Sequence, residues 1–373
     1  MSGEHARQRM EAVLAESDVD AVIAISPENV FYLSRALILT QRYIPDRLAI
    51  VVWPRGGEPT FIVCAIEATL ARQDTSIADL RTYVEFAESP VAVLAGVLAE
   101  RGLARGRLGF EPTVWNVGNF RALTEALPGA TLVPAEQLFD RARMVKGAWE
   151  IAHLSHAAHA TDAAVYAAFR AGRPGWSEKA IGDRIQQGML ADGADFSPFL
   201  VLAAGENARR VHHFPNTDPM PEGSILHFDG GGFWQGYYSD MARTAAIGRA
   251  SAEQRDIYAR LWAVQQEIIA GVRAGVRACD LYAHGKWCYE QQGLPFGMTL
   301  IGHSLGVVLH EHPVINAATE EPLQPGMLLA IEPAVGTTGG VMYHIEDLVL
   351  VTDGEPQIVS RAGEWAELLE IGV

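Results

Sequence analysis

The sequence predicts an α+β protein, with a small α/β domain at the N-terminus and a larger domain of antiparallel strands covered by helices. Three observations carry this expectation. Over residues 1–138, β-prone runs alternate with helical patterns, as in an α/β unit. From Asp140 the text turns Ala-rich and helical, which marks the start of a second domain over 139–373. In that second part, short apolar strand-like runs lie between helices, and several of them carry an acid or a histidine.

Taken in order, residues 5–16 read as an amphipathic helix, DAVIAIS as a buried strand, PENV as a loop and FYLS as a short continuation. The stretch RLAIVVWPRGGEPTFIVC reads as two strands that turn between Pro54 and Pro59. Helical patterns over 63–73, 90–103 and 117–127 are separated by the strand candidates TYVEF and RLGFE. The Ala-rich stretch from Asp140 reads as a helix about 20 residues long, with Gly172 and Pro174 beyond its end. Further helices are expected near 177–192, over 251–273 with Ser251 as cap and Glu253 nearby, and over 278–292. No internal repeat or low-complexity segment interrupts them.

Apolar residues make up 49% of the 373 and charged residues 20%, the composition of a globular protein with ample burial capacity. A formal net charge of −16 argues against nucleic acid or an anionic membrane as partner, because both require clustered Lys and Arg. Cys64, Cys279 and Cys288 have no metal or redox spacing and read as idle thiols in a reducing compartment. The opening MSGEHARQRMEAVLAESDVD has no apolar core of signal-peptide length, and runs such as LAIVVW fall short of the ~20 residues of a membrane span. A cytoplasmic location is the expectation.

The chemistry concentrates around Ser224 to Gly248, SILHFDGGGFWQGYYSDMARTAAIG. Here Asp229 and Asp240 stand in two β-prone runs, ILHF and FWQGYYS, joined through Gly230, Gly231 and Gly232. Neighbouring strands can aim both acids into one cleft, where one would take up a proton unless a cation sat between them. Further ligand types follow: His303 in IGHSLG, Glu332 in MLLAIEPAV and Glu346 in YHIEDLVLV. Taken singly, an Asp closes a strand and a His satisfies a core; Glu332 and Glu346 are harder to explain so, since an unpaired charge in an apolar run costs several kcal/mol. Four carboxylates carry about four negative charges, enough for two divalent ions, while the imidazole binds neutral. The candidate metal ligands are therefore Asp229, Asp240, His303, Glu332 and Glu346.

These segments resemble the pita-bread metallohydrolase family of prolidases, aminopeptidases P and methionine aminopeptidases. Asp229 through Thr244 is similar to that family's D-x-G, G-Y-x-S-D and R-T pattern, and GHSLGVVLHEHP to its G-H-x-x-G followed by H-E-x-P. QPGMLLAIEPAV and HIEDLVLVTDGE resemble its last two ligand segments, and the N-terminal part with ENVFYLS resembles the smaller domain of the creatinase and prolidase branch. The resemblance implies a pita-bread catalytic domain after a creatinase/prolidase-type domain. It implies that the five candidates hold two metal ions, with Asp240 and Glu346 bridging. Manganese is the expected ion, and cobalt, iron and zinc are compatible with the donors.

By the same resemblance His212 and His310 assist catalysis without holding metal, donating hydrogen bonds where charge develops on the substrate carbonyl. His213 is the neighbouring alternative to His212, and His227 and His312 are candidates to line the site. His153, His156 and His159 recur at intervals of three but read as the surface of an Ala-rich helix. The family implies hydrolysis of an amide bond by a hydroxide shared between the metals, with Glu332 relaying the proton to the leaving nitrogen. An Xaa-Pro dipeptide or short peptide is the leading substrate, and the family's habit predicts a homodimer.

Two departures complicate that substrate. Relatives usually carry Arg two residues before the last ligand and Thr two after the second Asp, where this chain has His344 and Ala242. Losing a fixed guanidinium removes a clamp for a carboxylate, so a non-peptide amide, amidine or cyclic compound is the alternative substrate class. A non-catalytic binding module on the same fold is the third reading, and an intact ligand set argues against it.

Overall fold

The run AVIA at 21–24 is buried at every position, as expected of a strand covered on both faces. It forms the middle of a six-stranded mixed sheet made of β1 (Ala21–Ala24), β2 (Ile50–Pro54), β3 (Thr60–Cys64), β4 (Asp79–Tyr83), β5 (Arg107–Phe110) and β6 (Thr131–Pro134). The order across the sheet is β4-β3-β2-β1-β5-β6, with β1 antiparallel to β2 and parallel to β5. A computed structural model describes residues 2–373 except Pro45, Pro174, Thr338 and Gly339, so the helix-end reading of Pro174 lies outside the described residues. It divides the chain into two units, Met1–Arg143 and Met144–Val373. The division falls a few residues beyond 138 because a helix, Glu136–Met144, runs through that point.

PENV is not a loop. It opens a helix, Pro27–Ser34, whose N-cap Ser26 accepts a hydrogen bond from the Asn29 amide at 3.1 Å, with Pro27 in the first turn. Ser-Pro-Glu-Asn is a helix-start signature, since Pro at the first position has the right φ and lacks only an amide that would be orphaned anyway. The strand read as TYVEF lies earlier, at Asp79–Tyr83.

The second unit holds four long helices, Ala148–Ala171, Glu178–Ala191, Ala252–Ala270 and Ala278–Gln291, close to their sequence positions. Ser251 does cap its helix, and the partner completing the capping box is Gln254 rather than Glu253. The strands are β7 (Phe196–Ala204), β8 (Ile225–Trp234), β9 (Tyr237–Tyr238), β10 (Met241–Ile247), β11 (Leu300–Ser304), β12 (Glu311–Asn316), β13 (Leu328–Ile331), β14 (Ala334–Gly336), β15 (Met342–His344), β16 (Asp347–Leu350), β17 (Gln357–Ile358) and β18 (Leu369–Ile371). One sheet runs β18-β10-β8-β7 with β9 paired to β8, a second runs β12-β11-β13-β16-β17, and β14 with β15 forms a ribbon. Ile268 and Leu281 from two helices share one core with Ile301, Leu329, Ile331 and Val349 of the second sheet.

The three glycines are not a flexible joint between two runs, because β8 passes straight through them. Their lack of a side chain is needed for close approach: a Cβ on Gly231 would stand 1.8 Å from the Ser239 carbonyl oxygen, and one on Gly230 2.8 Å from that of Phe199. With side chains alternating, His227 and Asp229 share one face of β8, and Asp240, Ala242 and Thr244 share one face at β10.

Candidate metal centre

β8 and β10 pair antiparallel with Asp229 opposite Ala242, so Asp240, just before β10, reaches the same cleft from the adjacent strand. Glu346 joins them because its amide donates to the Ala242 carbonyl at 2.9 Å, bringing the turn between β15 and β16 against β10. One ligand oxygen from each of Asp229, Asp240 and Glu346 lies within 4.8 Å of the others. From the second sheet, Glu332 follows β13, with its amide bonded to the Ile301 carbonyl at 3.0 Å. His303 lies on β11 opposite Ala330, and its Nε2 stands 3.4 Å from Glu332 and 3.8 Å from Asp240. All five candidates thus meet in one place, although Glu332 and Glu346 sit just past strand ends rather than within strands.

Burial raises Asp240 and Glu346 well above the usual carboxylate range, and the charges of the neighbouring acids push in the same direction. Asp229 is raised for the same first reason, against the pull of His344. Glu332 ends lower: burial pushes it up, but His344 and His303 outweigh that. Burial lowers His303, favouring the neutral ring that a metal requires, and its Nδ1 faces the Ser304 carbonyl at 2.9 Å, which leaves Nε2 turned to the acids. Asp240 Oδ1, Glu332 Oε1 and Glu346 Oε1 are buried and have no hydrogen-bond partner among the described residues. Buried orphan oxygens are rare in proteins, and oxygens aimed at one point with one neutral imidazole are the donor set of a divalent cation.

His310 is exposed, and its ring stacks on His303 at 3.7 Å between centroids. A nitrogen of His310 also lies within 4.8 Å of Asp240 and His303 donor atoms. His212 is exposed with its ring 6.3 Å from Phe199, whereas His213 faces Glu178 at 3.0 Å, beside the Ala204 and Asn216 amides held by the same carboxylate. His213 is thus tied to Glu178, while His212 stands at the surface. His227 is buried beside the centre, its Nε2 3.4 Å from His344 Nδ1. His344 Nε2 in turn lies 3.4 Å from Glu332.

Lys146 went unread in the sequence. Its buried ammonium donates to Ser304 Oγ at 2.8 Å and Glu311 Oε2 at 2.9 Å, bracketing the loop between β11 and β12 that carries His310. Its partners lie 158 and 165 positions away, so no local pattern could announce it. Cys64, Cys279 and Cys288 are free thiols, and among the described residues no helix is long and apolar enough to cross a membrane.

Residues 152–353 match the model of metallopeptidase family M24, and residues 7–145 match that of the creatinase/prolidase N-terminal domain. Among curated proteins, the uncharacterized peptidase YqhT of Bacillus subtilis is 28% identical over 75% of this chain and 79% of its own. The Xaa-Pro dipeptidase of Lactobacillus delbrueckii subsp. lactis is 26% identical over 93% of this chain and 94% of its own. Among solved structures, dipeptidase PepE from Mycobacterium ulcerans superposes with a TM-score of 0.87 at 26% identity, covering 100% of this chain and 99% of that one.

Proposed function

The chain belongs to metallopeptidase family M24, and from that premise we propose that it is a dinuclear-metal hydrolase of Xaa-Pro dipeptides or short peptides. The observation that carries this reading is the convergence of Asp229, Asp240 and Glu346, with buried, unpartnered oxygens on Asp240, Glu332 and Glu346 among the described residues. Asp229, Asp240, His303, Glu332 and Glu346 would hold two divalent ions, manganese first, with Asp240 and Glu346 between them. Such ions supply Lewis-acid polarisation of the scissile carbonyl and activation of water.

The chain's own groups do the rest. Glu332, which lies 3.4 Å from both His303 and His344, would take a proton from the attacking water and pass it to the leaving nitrogen. His310 and His212 donate to the carbonyl oxygen as it gains charge. His344 is the reason to keep a second substrate class in view, because an imidazole, shorter and without a forked donor pair, clamps a terminal carboxylate less firmly than a guanidinium. That second reading is hydrolysis of a non-peptide amide, amidine or cyclic compound.

Turnover of Gly-Pro, Ala-Ala and a panel of non-peptide amides after Mn²⁺ loading tests both. Cleavage of Gly-Pro well above Ala-Ala supports the dipeptidase, and cleavage confined to the panel supports the second reading. Fewer than one bound ion per chain after loading would overturn both and favour a binding module. A homodimer belongs to the same proposal, and sedimentation as a monomer at micromolar concentration would overturn that part.

A further inference from the structure

Beside the centre, on its Asp229 flank, His227 and His344 add further ligand types around that shared carboxylate. His227 and Asp229 alternate on one face of β8, and β15 delivers His344 to the same spot. His344 is pinned there by Thr244, whose hydroxyl accepts from the His344 amide at 2.9 Å and donates to its carbonyl at 2.8 Å. Thr244 stands opposite His227 in the β8–β10 register, so the two imidazoles are set against each other by backbone pairing rather than by loops. His227 Nε2 and His344 Nδ1 are 3.4 Å apart, and His344 Nδ1 is 3.9 Å from Asp229 Oδ2. Donor atoms of all three lie within 4.8 Å of one another.

Two ring nitrogens facing at that distance make a long hydrogen bond, but they match a shared metal. Ligands about 2.1 Å from one tetrahedral ion stand about 3.4 Å apart. His227 is 1% exposed and its Nδ1 has no hydrogen-bond partner. The other nitrogen of His344 faces Glu332 at 3.4 Å, within ion-pair distance. Asp229 is only partly buried, which leaves a way in for an ion.

We propose that His227, Asp229 and His344 form an additional transition-metal position, adjoining the dinuclear centre and sharing Asp229 with it. This rests on the dinuclear reading above. Two imidazoles and one carboxylate select zinc or cobalt over manganese, because imidazole is a poor match for the harder ion. Chelator-stripped protein is loaded separately with Zn²⁺ and Mn²⁺, freed of unbound ion by gel filtration, and its metal counted by mass spectrometry.

The expected zinc load exceeds the manganese load by one equivalent, and His344→Arg and His227→Leu each lose that equivalent while keeping the manganese load. Arg is the residue relatives usually carry at 344, so that variant serves even where His227→Leu fails to fold. In Co²⁺-loaded protein, His344→Arg should also lose part of the visible absorption of four-coordinate cobalt. Equal zinc and manganese loads of two equivalents, or a zinc load unchanged in His344→Arg, would overturn the proposal alone. A manganese load below two would overturn the underlying reading, and this one with it.

Discussion

The two faces of β10 bury charge in opposite ways. On the front, Asp240 joins Asp229, Glu332 and Glu346; Asp240, Glu332 and Glu346 each carry an orphan oxygen, and Asp229, Asp240 and Glu346 have raised proton affinity. On the back, Arg243 is fully buried between Asp162 and Asp347, donates to the Ala242 and Glu346 carbonyls, and lies 5.0 Å from the ring of Trp365. Asp162 also accepts from the Ala362 and Gly363 amides and from Trp365, while Asp347 accepts from Ser360 and Arg361. Period-two alternation along β10 turns the neighbours Ala242 and Arg243 to opposite faces. Charge that is fully matched is scaffold; charge left unmatched marks where a ligand is to go.

Substitutions should separate the faces, the back showing the larger effect on stability. Arg243→Met strands two buried carboxylates and is expected to destabilise by about 3–5 kcal/mol, read from the denaturant midpoint. A loss under about 1 kcal/mol would mean the network is not the support described.

Lys146→Met should cost about 3 kcal/mol for the same reason, and adding Glu311→Gln should return part of it. The double variant tests whether the cost comes from the abandoned Glu311 charge. If it is no more stable than Lys146→Met, it does not.

On the front the sign reverses. Glu346→Gln removes a source of repulsion, so the metal-free protein is expected to gain about 1 kcal/mol at neutral pH while metal binding falls by at least about tenfold. Destabilisation of the metal-free variant would contradict the contrast between the faces.

The smallest effect is one of pH. Asp240 and Glu346 bind protons more tightly folded than unfolded, so metal-free protein should become more stable as pH falls from 7 toward the ordinary carboxylate range. Asp347 is lowered: burial pushes it up, but Arg243 and Arg361 outweigh that, so its contribution holds above about pH 4 and is lost only below. Thermal midpoints between pH 7 and 4, with and without Mn²⁺, resolve the two, and the stabilisation given by Mn²⁺ should shrink as protons compete for the front acids. A metal-free midpoint that falls steadily from pH 7 would contradict the raised front pair.

Much of this contrast can be read in the chain. The candidate ligands stood out together because Glu332 and Glu346 lie in apolar runs where an acid has no cheap explanation, and Ser251 announced its helix by capping. What escaped was non-local. Lys146 lies in an unremarkable stretch, His213 resembles His212 until Glu178 is seen to hold it, and the role of Arg243 depends on Asp162, 81 positions earlier. The glycines misled because a sequence shows the missing side chain and not the backbone that occupies its place.

That occupied place makes the β8–β9 hairpin a spacer of set thickness. With the Ser239 oxygen seated where a Gly231 side chain would be, even an alanine there would prise the two arms apart and carry the neighbouring Asp240 away from Asp229. Position 231 is therefore where the smallest possible insertion of matter would be felt as a change in the gauge of the cleft.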